Sequence, residues 1–322
     1  MEKYFRINIY QYTAAGKREM KEEKLSFIYV ILAASMWGTI GLSVRILTRY
    51  HFSPIQIVVV RLLVADVFLG VYLLCTDKSK FKIECKDIKW FLGIGLMSML
   101  FFNTCYCMAI QVTSLSVAAV LLYTSPIFVM LISIPVFREK ITKRKLLAIV
   151  LSVSGCALVS GVFSSNLARI PQKGIAFGIC AAVGYALYSI FARILLKKYH
   201  SLTILFYTFL IAGIGGALIG DFMGICNIIR KTPTAMIAVI LSALICSVFP
   251  YIFYTKALLH IEASRASVIA SVEPVVATII GTLVFAEKIT ISSVTGIICV
   301  LAAIGILNLS DSLWKKGKEN ER

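Results

Sequence analysis

The 322-residue chain is 59% hydrophobic and only 15% charged, with a mean hydropathy of +0.88 and a formal net charge of +17. Soluble domains are closer to half apolar and a quarter charged, so there is too little polar surface to coat a water-soluble core, and the chain reads as an integral membrane protein. Its Lys and Arg residues lie in short clusters between apolar runs, which excludes nucleic acid as a partner and points to contact with anionic lipid.

Residues 1–25 are polar and carry Lys3, Arg6, Lys17, Arg18, Lys21 and Lys24. They read as a loosely ordered cytoplasmic tail. No cleavage site follows, so the first apolar run is a retained helix and not a secretory signal. Ten apolar runs then succeed one another, at 26–47, 55–75, 89–109, 115–137, 145–163, 174–195, 202–223, 234–256, 264–286 and 291–310. Each is near the roughly 20 residues that a helix needs to cross a bilayer. In hydrocarbon every backbone N–H and C=O needs an internal partner, which a helix supplies within its own segment. The runs lack the alternation of barrel strands. Residues 311–322 form a second basic tail.

The charges orient these runs. Loop two holds Lys78, Lys80, Lys82, Lys86 and Lys89, and loop four holds Arg138, Lys140, Lys143, Arg144 and Lys145. Loop six holds Lys197 and Lys198 beside Arg193, and the C-terminus ends in Lys315, Lys316, Lys318 and Arg322. The odd loops carry far less: Arg49, then Arg169 and Lys173, then Arg230 and Lys231, then Lys288. This asymmetry places both termini in the cytoplasm.

The chain also repeats itself. "FREKIT" at 137–142 returns as "FAEKIT" at 285–290, so Glu139 maps to Glu287 by a shift of 148. The same shift carries Trp37 to Tyr185, Arg45-Ile46-Leu47 to Arg193-Ile194-Leu195, Tyr106 to Tyr254, Ala109 to Ala257 and Pro126 to Pro274. The fold class is therefore an all-α polytopic membrane protein of ten transmembrane helices in two five-helix repeats, 26–163 and 174–310. Five is odd, so the second repeat enters from the opposite side. The basic clusters agree: "EKITKRK" at 139–145 keeps its charges, while "EKITISS" at 287–293 has lost most of them. Inverted repeats of this kind recur in alternating-access transporters.

Four segments carry a closer resemblance: "SMWGTIGLSVRIL" at 35–47, "VVVRLLVADVFLG" at 58–70, "YTSPIFVMLISIPVFREKIT" at 123–142 and "SVEPVVATIIGTLVFAEKITISSVTGIICVLAAIGIL" at 271–307. Across about residues 25–310 the chain resembles the drug/metabolite transporter superfamily in its ten-helix EamA-type branch. One departure is Tyr185-Ala186 in place of a second Trp-Gly. The resemblance implies a transporter of small metabolites, with export the commoner direction, and leaves open amino acids, sugars, cations and drugs.

Polar groups inside apolar runs are the candidate site residues, since they are expensive in lipid and face a bundle interior or watery cavity. Glu273 sits mid-run beside Pro274. The proline leaves the Ala270 carbonyl without its helical donor, so a kink or opening is expected there. A carboxylate at such a break suits a proton, a cation or a substrate amine; the competing reading is a structural partner for a nearby cation or hydroxyl. Its repeat mate, Ser125-Pro126, has no acid. Arg61 offers a planar fork to a substrate carboxylate, against an ion pair or snorkelling as alternatives. Asp66 lies further along the same run. Lys256 and Arg265 lie near the cytoplasmic face and read as snorkelling residues, with cavity contact as the alternative. Trp37, Tyr106, Tyr123, Tyr185, Tyr188 and Tyr254 offer aromatic lining for a flat or cationic solute, each with core packing as the competing reading. Asn103 is a neutral polar candidate, matched by Tyr251 under the shift.

Glu139 and Glu287 fall at helix ends, where the dipole disfavours an acid. Lys140, Lys288 or the next helix's N-terminus is expected to offset them, with Thr142 and Thr290 as N-caps. "GIGGALIG" at 213–220 suits close helix packing through Gly216 and Gly220, and the chain is expected to be a monomer or weak homodimer.

Nine cysteines lie mostly inside apolar runs without metal-ligand spacing, and none of the three histidines pairs with an acid at ligand spacing. No metal site, cofactor or catalytic residue is expected, nor is a phosphate-binding loop or nucleophile elbow visible. The reading is a secondary transporter in the cell membrane, not an enzyme. It exports small organic metabolites (amino acids or related compounds, or drugs) by alternating access through a central cavity, with protons as a candidate coupling ion. The alternative is a membrane-embedded enzyme acting on a lipid-linked substrate.

Overall fold

A computed structural model describes the backbone of residues 2–162 and 171–320, and the side chains of residues 20–162 and 171–307. Arg169 and the side chains of the C-terminal basic cluster lie outside the described residues. Among the described residues the long elements are all helical. In chain order they are α1 (Glu2–Trp37), α2 (Ile40–Arg49), α3 (Pro54–Thr76), α4 (Ile88–Leu92), α5 (Phe101–Val112), α6 (Leu115–Leu122), α7 (Ser125–Phe137) and α8 (Lys143–Val159), then α9 (Gln172–Leu195), α10 (Ser201–Ile219), α11 (Phe222–Lys231), α12 (Ala235–Ala243), α13 (Phe249–Ala257), α14 (Ala263–Ile269), α15 (Val272–Phe285) and α16 (Ile291–Asn320).

Several pairs run nearly end to end as single crossings: α1 into α2, α6 into α7, and α14 into α15. Two others are joined by π-helical turns, at Gly93–Leu100 between α4 and α5 and at Leu244–Val248 between α12 and α13. Counted this way, eight helices among the described residues are long and apolar enough to cross a membrane, and Ile291–Leu307 is a shorter apolar helix. Its mate under the shift of 148 is α8, with the same 17-residue length.

Sequence chemistry accounts for the ends. Ser53 and Gln56 cap α3 reciprocally, with Pro54 at the first turn. Thr142 Oγ1 accepts from the Lys145 N–H at 3.2 Å, and Thr290 Oγ1 from the Ser293 N–H at 3.1 Å, so both threonines are N-caps. α7 and α15 both end in a left-handed residue other than glycine, Arg138 (φ 54°) and Ala286 (φ 53°). Both wind up alike, with the Ser133 and Gly281 carbonyls accepting the cap N–H groups.

Two expectations change. The N-terminal tail is not loosely ordered but forms the start of α1. Its Glu, Lys, Arg and Ala residues are good helix formers, and they extend the apolar helix that follows. The seventh run ends at Ile219, before Gly220, and a separate amphipathic helix, α11, follows with Asp221 Oδ1 accepting from the Gly224 N–H at 2.8 Å.

The halves interlock by exchange. α1 packs on α13 and α15 of the second half, and α9 packs on α5 and α7 of the first. α3 packs on its own mate α10, and α8 on its mate α16. At the α8–α16 crossing a Cβ on Gly155 would stand 2.7 Å from the Gly296 carbonyl oxygen, and one on Gly296 would stand 2.6 Å from that of Gly155. Only glycine lets the two backbones approach so closely. Outside the bundle, Lys198 Nζ meets Asp87 Oδ2 at 2.6 Å and Glu84 Oε1 at 2.5 Å. The Lys198 ammonium holds both carboxyls below the usual carboxylate range and is itself raised by them.

Candidate functional site

Three crossings break near mid-length, and hydroxyl side chains occupy each break. At Gly38–Thr39, Thr39 Oγ1 donates to the Met36 carbonyl at 2.7 Å. At Tyr123–Thr124, Thr124 Oγ1 donates to the Leu121 carbonyl at 2.6 Å. At Ala270–Ser271, Ser152 Oγ donates to Ser271 Oγ at 2.6 Å. The two threonines give a carbonyl at their breaks a side-chain donor, and at the third break the two serines bond each other. Pro126 and Pro274 sit in the first turns of α7 and α15, where a missing N–H costs little. The Ala270 carbonyl, expected to be without a donor, accepts from the Glu273 N–H at 3.0 Å. The chain leaves the helix four residues ahead of the proline, which restores that bond. Gly38 is required at its break: a Cβ there would lie 2.8 Å from Val276 Cβ and 2.9 Å from the Glu273 carbonyl oxygen.

Around these breaks lie two narrow clefts, each with room for a water-sized occupant. The first is aromatic. Trp37 is its centre, with ring centroids 5.1 Å from Tyr251, 5.4 Å from Tyr254 and 6.3 Å from Tyr185. Tyr188 completes the wall, 5.1 Å from Tyr251 in an edge-to-face contact. The phenols are anchored: Tyr188 Oη bonds Thr255 Oγ1 at 2.7 Å, Tyr254 Oη bonds Ser189 Oγ at 2.8 Å, and Tyr251 Oη donates to Met99 Sδ at 3.5 Å. Anchored phenols hold their rings in place, so the wall is a preorganised apolar surface.

The second cleft is more polar. Tyr123, Ser125, Pro126, Ser267, Ser271 and Glu273 face it, and Tyr185 borders both clefts. Glu273 stands half-buried in the first turn of α15, where a helix N-terminus favours negative charge.

The sequence candidates divide accordingly. Trp37, Tyr185, Tyr188 and Tyr254 line the first cleft; Tyr123, Tyr185, Pro126 and Glu273 line the second. Pro274 is buried behind its neighbour. Tyr106 stacks on Phe102 at 6.1 Å, outside both linings. Asn103 is buried and donates to the Met99 carbonyl at 2.7 Å, so its amide serves its own helix. Arg61 is buried on α3 with no hydrogen bond or ion pair among the described residues, and Asp66 is buried on the same helix with an unpartnered oxygen. Lys256 is exposed, and Arg265 pairs with Glu23. Sequence reasoning passed over Met99, Phe102, Tyr251 and the serines of both clefts. The shift of 148 from Asn103 pointed at Tyr251; serines in apolar helices carry no comparable signal, since they also bond their own backbone.

Of the partners expected for the two helix-end acids, Lys140 and Lys288 meet neither among the described residues, while Lys145 in the first turn of α8 lies 3.8 Å from Glu139. Each acid pairs across the halves. Arg45 Nη2 meets Glu287 Oε1 at 2.5 Å, and Arg193 meets Glu139. Each guanidinium also covers the phenylalanine two residues before its acid: Arg45 Cζ lies 3.8 Å from the Phe285 centroid, and Arg193 Cζ lies 4.5 Å from that of Phe137. All three residues of one set map onto the other by 148.

Comparison with known proteins extends this picture. The model of the EamA-like transporter family matches residues 24–161 and again 172–309. The chain is 26% identical over 294 residues to an uncharacterized transporter of Archaeoglobus fulgidus, covering 87% of this chain and 98% of that one. It is 24% identical over 289 residues to the uncharacterized transporter YxxF of Bacillus subtilis, covering 89% and 90%. A solved crystal structure superposes with a TM-score of 0.72 at 15% identity, covering 88% of this chain and 96% of the other, a likeness of fold.

Proposed function

The chain belongs to the EamA-like transporter family, and on that premise we propose that it is a secondary transporter working by alternating access. A small organic solute passes through the paired clefts, with export from the cell as its direction. The carrying observation is the exchange of ion pairs between halves: Arg45 with Glu287, Arg193 with Glu139, each beside its phenylalanine. Two equivalent latches at opposite ends of an inverted repeat are what rocking about a central site requires, since one opens as the other holds. The narrowness of both clefts fits a state in which neither end admits solute.

The repeats span 26–163 and 174–310 in this reading. Both termini and the Glu139 end face the cytoplasm of a cell-membrane protein, because the even loops hold the basic clusters. Glu273, in the first turn of a broken helix, is placed to take a proton in exchange for solute. The chain acts alone or as a weak homodimer.

Protein reconstituted in liposomes tests this. Labelled amino acids, nucleosides, sugars, organic acids and organic cations are offered in turn, and saturable flux of an unaltered solute is expected. Chemical conversion of the solute, or no saturable flux, overturns the reading in favour of a membrane enzyme or another role. Glu273→Gln is expected to abolish the pH dependence of flux while leaving expression intact. An unchanged pH response would remove Glu273 from coupling.

A further inference from the structure

Arg61 is a buried cation without a partner among the described residues. It lies within α3, is 8% exposed, and makes no hydrogen bond or ion pair among the described residues; its Nε is fully enclosed without a partner. A buried guanidinium without a counter-charge is strongly unfavourable unless something outside the chain completes it. The acid on the same helix does not. Asp66 is five residues on, about 140° around the helix axis, and makes no bond to Arg61. Glu273 faces the second cleft and makes no ion pair with Arg61 among the described residues.

Symmetry separates Arg61 from the architectural arginines. Arg45 and Arg193 occur in both halves and pair in both. The mate of Arg61 under the shift of 148 is Phe209, a fully buried ring set edge-to-face on Tyr251 at 5.5 Å. The fold is satisfied at this position by a hydrocarbon, so a cation is not needed to build it. α3 packs on α5 and on the Leu244–Val248 turn that leads into α13, the helix of Tyr251, and both Arg61 and Glu273 lie within electrostatic reach of that ring. Tyr251 is the ring that packs on Trp37, so the aromatic cleft lies within reach of the unpaired charge, although Arg61 is not itself one of the residues that line it.

We propose that Arg61 is the anion-binding group of the solute site, and that the cargo is a small organic acid whose apolar or flat body rests on the Trp37–Tyr251 wall. The proposal rests on the transporter reading and adds its substrate class. The guanidinium fork donates two parallel charge-assisted bonds to a carboxylate or a phosphate monoester. An uncharged analogue of the same shape leaves the cation unpaired and is rejected.

The test uses the full-length protein in detergent, with thermal unfolding and tryptophan fluorescence as readouts. Phenylacetate, benzoate and phenyl phosphate are titrated against phenylacetamide and benzamide. The acids are expected to raise the melting temperature and the amides to leave it unchanged. A response confined to phenyl phosphate assigns phosphate esters, and one confined to the carboxylates assigns carboxylic acids. Arg61→Gln is expected to weaken acid binding by at least about tenfold, and to melt higher than the native protein without ligand, because an unpaired buried charge is gone. Arg61→Lys keeps the charge and loses the fork; it is expected to bind with intermediate affinity and serves if the glutamine variant does not fold. Equal responses to acids and amides, no response to any acid, or undiminished binding by both variants overturns the proposal. The same preparations in liposomes separate the two readings. Flux of neutral or cationic solutes that is untouched by Arg61→Gln, with no flux of acids, sinks the anion site and leaves the transporter standing. Acid binding that requires Arg61, with no flux of any solute, keeps the site and sinks the transporter.

Discussion

The two latches are built from the same residues and differ in everything around them. The Glu139 carboxylate is 5% exposed and gathers Arg193, the Ser264 hydroxyl and, at 3.8 Å, Lys145. Lys145 in turn meets Glu262 at 2.6 Å. The Glu287 carboxylate is 52% exposed, as is Arg45, and that pair has no further members among the described residues. A pair in water gives little, because solvent screens it and side-chain entropy opposes it. A buried acid held by several donors is expensive to disrupt, because whatever remains is left charged and unpaired. One pair therefore sits in a buried network and the other is a single exposed contact, although the repeat makes the two equivalent on paper. Part of the difference traces to Lys145, whose counterpart under the shift of 148 is Ser293.

Breaking the buried latch gives the largest expected effect. Glu139→Gln should destabilise the protein by about 3–5 kcal/mol, read as a lower melting temperature in detergent. A loss no larger than that of the matching change at Glu287 would show that the network adds nothing. The axis between the latches comes next. Gly155→Leu places a side chain against the Gly296 backbone and should cost about 1–3 kcal/mol through overpacking. Because α8 and α16 serve both ends, it should alter the accessibility of both faces to a membrane-impermeant thiol reagent, and an effect on one face alone would refute the shared axis. Glu287→Gln gives the smallest thermal effect, about 0–1 kcal/mol. Its expected signature is greater solvent access at that face with an almost unchanged melting temperature. A large drop in melting temperature would mean that the exposed pair carries more than its geometry implies.

Much of this was legible beforehand because it rests on repetition and on bulk solvent preference. The shift of 148 located both acids, both arginines and both prolines, and the apolar runs located the helices. The partners were misjudged: Lys140 and Lys288 are the adjacent cations, but the arginines that bind the acids lie 54 and 242 residues away. The site was half legible. Large aromatics and a lone acid in apolar runs announce themselves. Asn103 looked equally polar and turned inward to its own helix, while Ser98, Ser189, Ser267 and Ser271 reached the clefts unannounced.

Composition alone determined that the chain lives in lipid, since backbone groups without water must pair within helices and the apolar runs have the length to cross. Internal repetition determined that the halves are inverted, since an odd number of crossings reverses the second copy. Only the tertiary structure decided which charges meet, which acid is buried and that Arg61 is buried without a partner among the described residues. Those outcomes depend on distances between helices remote in sequence, and a Coulomb interaction or a hydrogen bond is decided by separation and burial, neither of which is written in the order of residues.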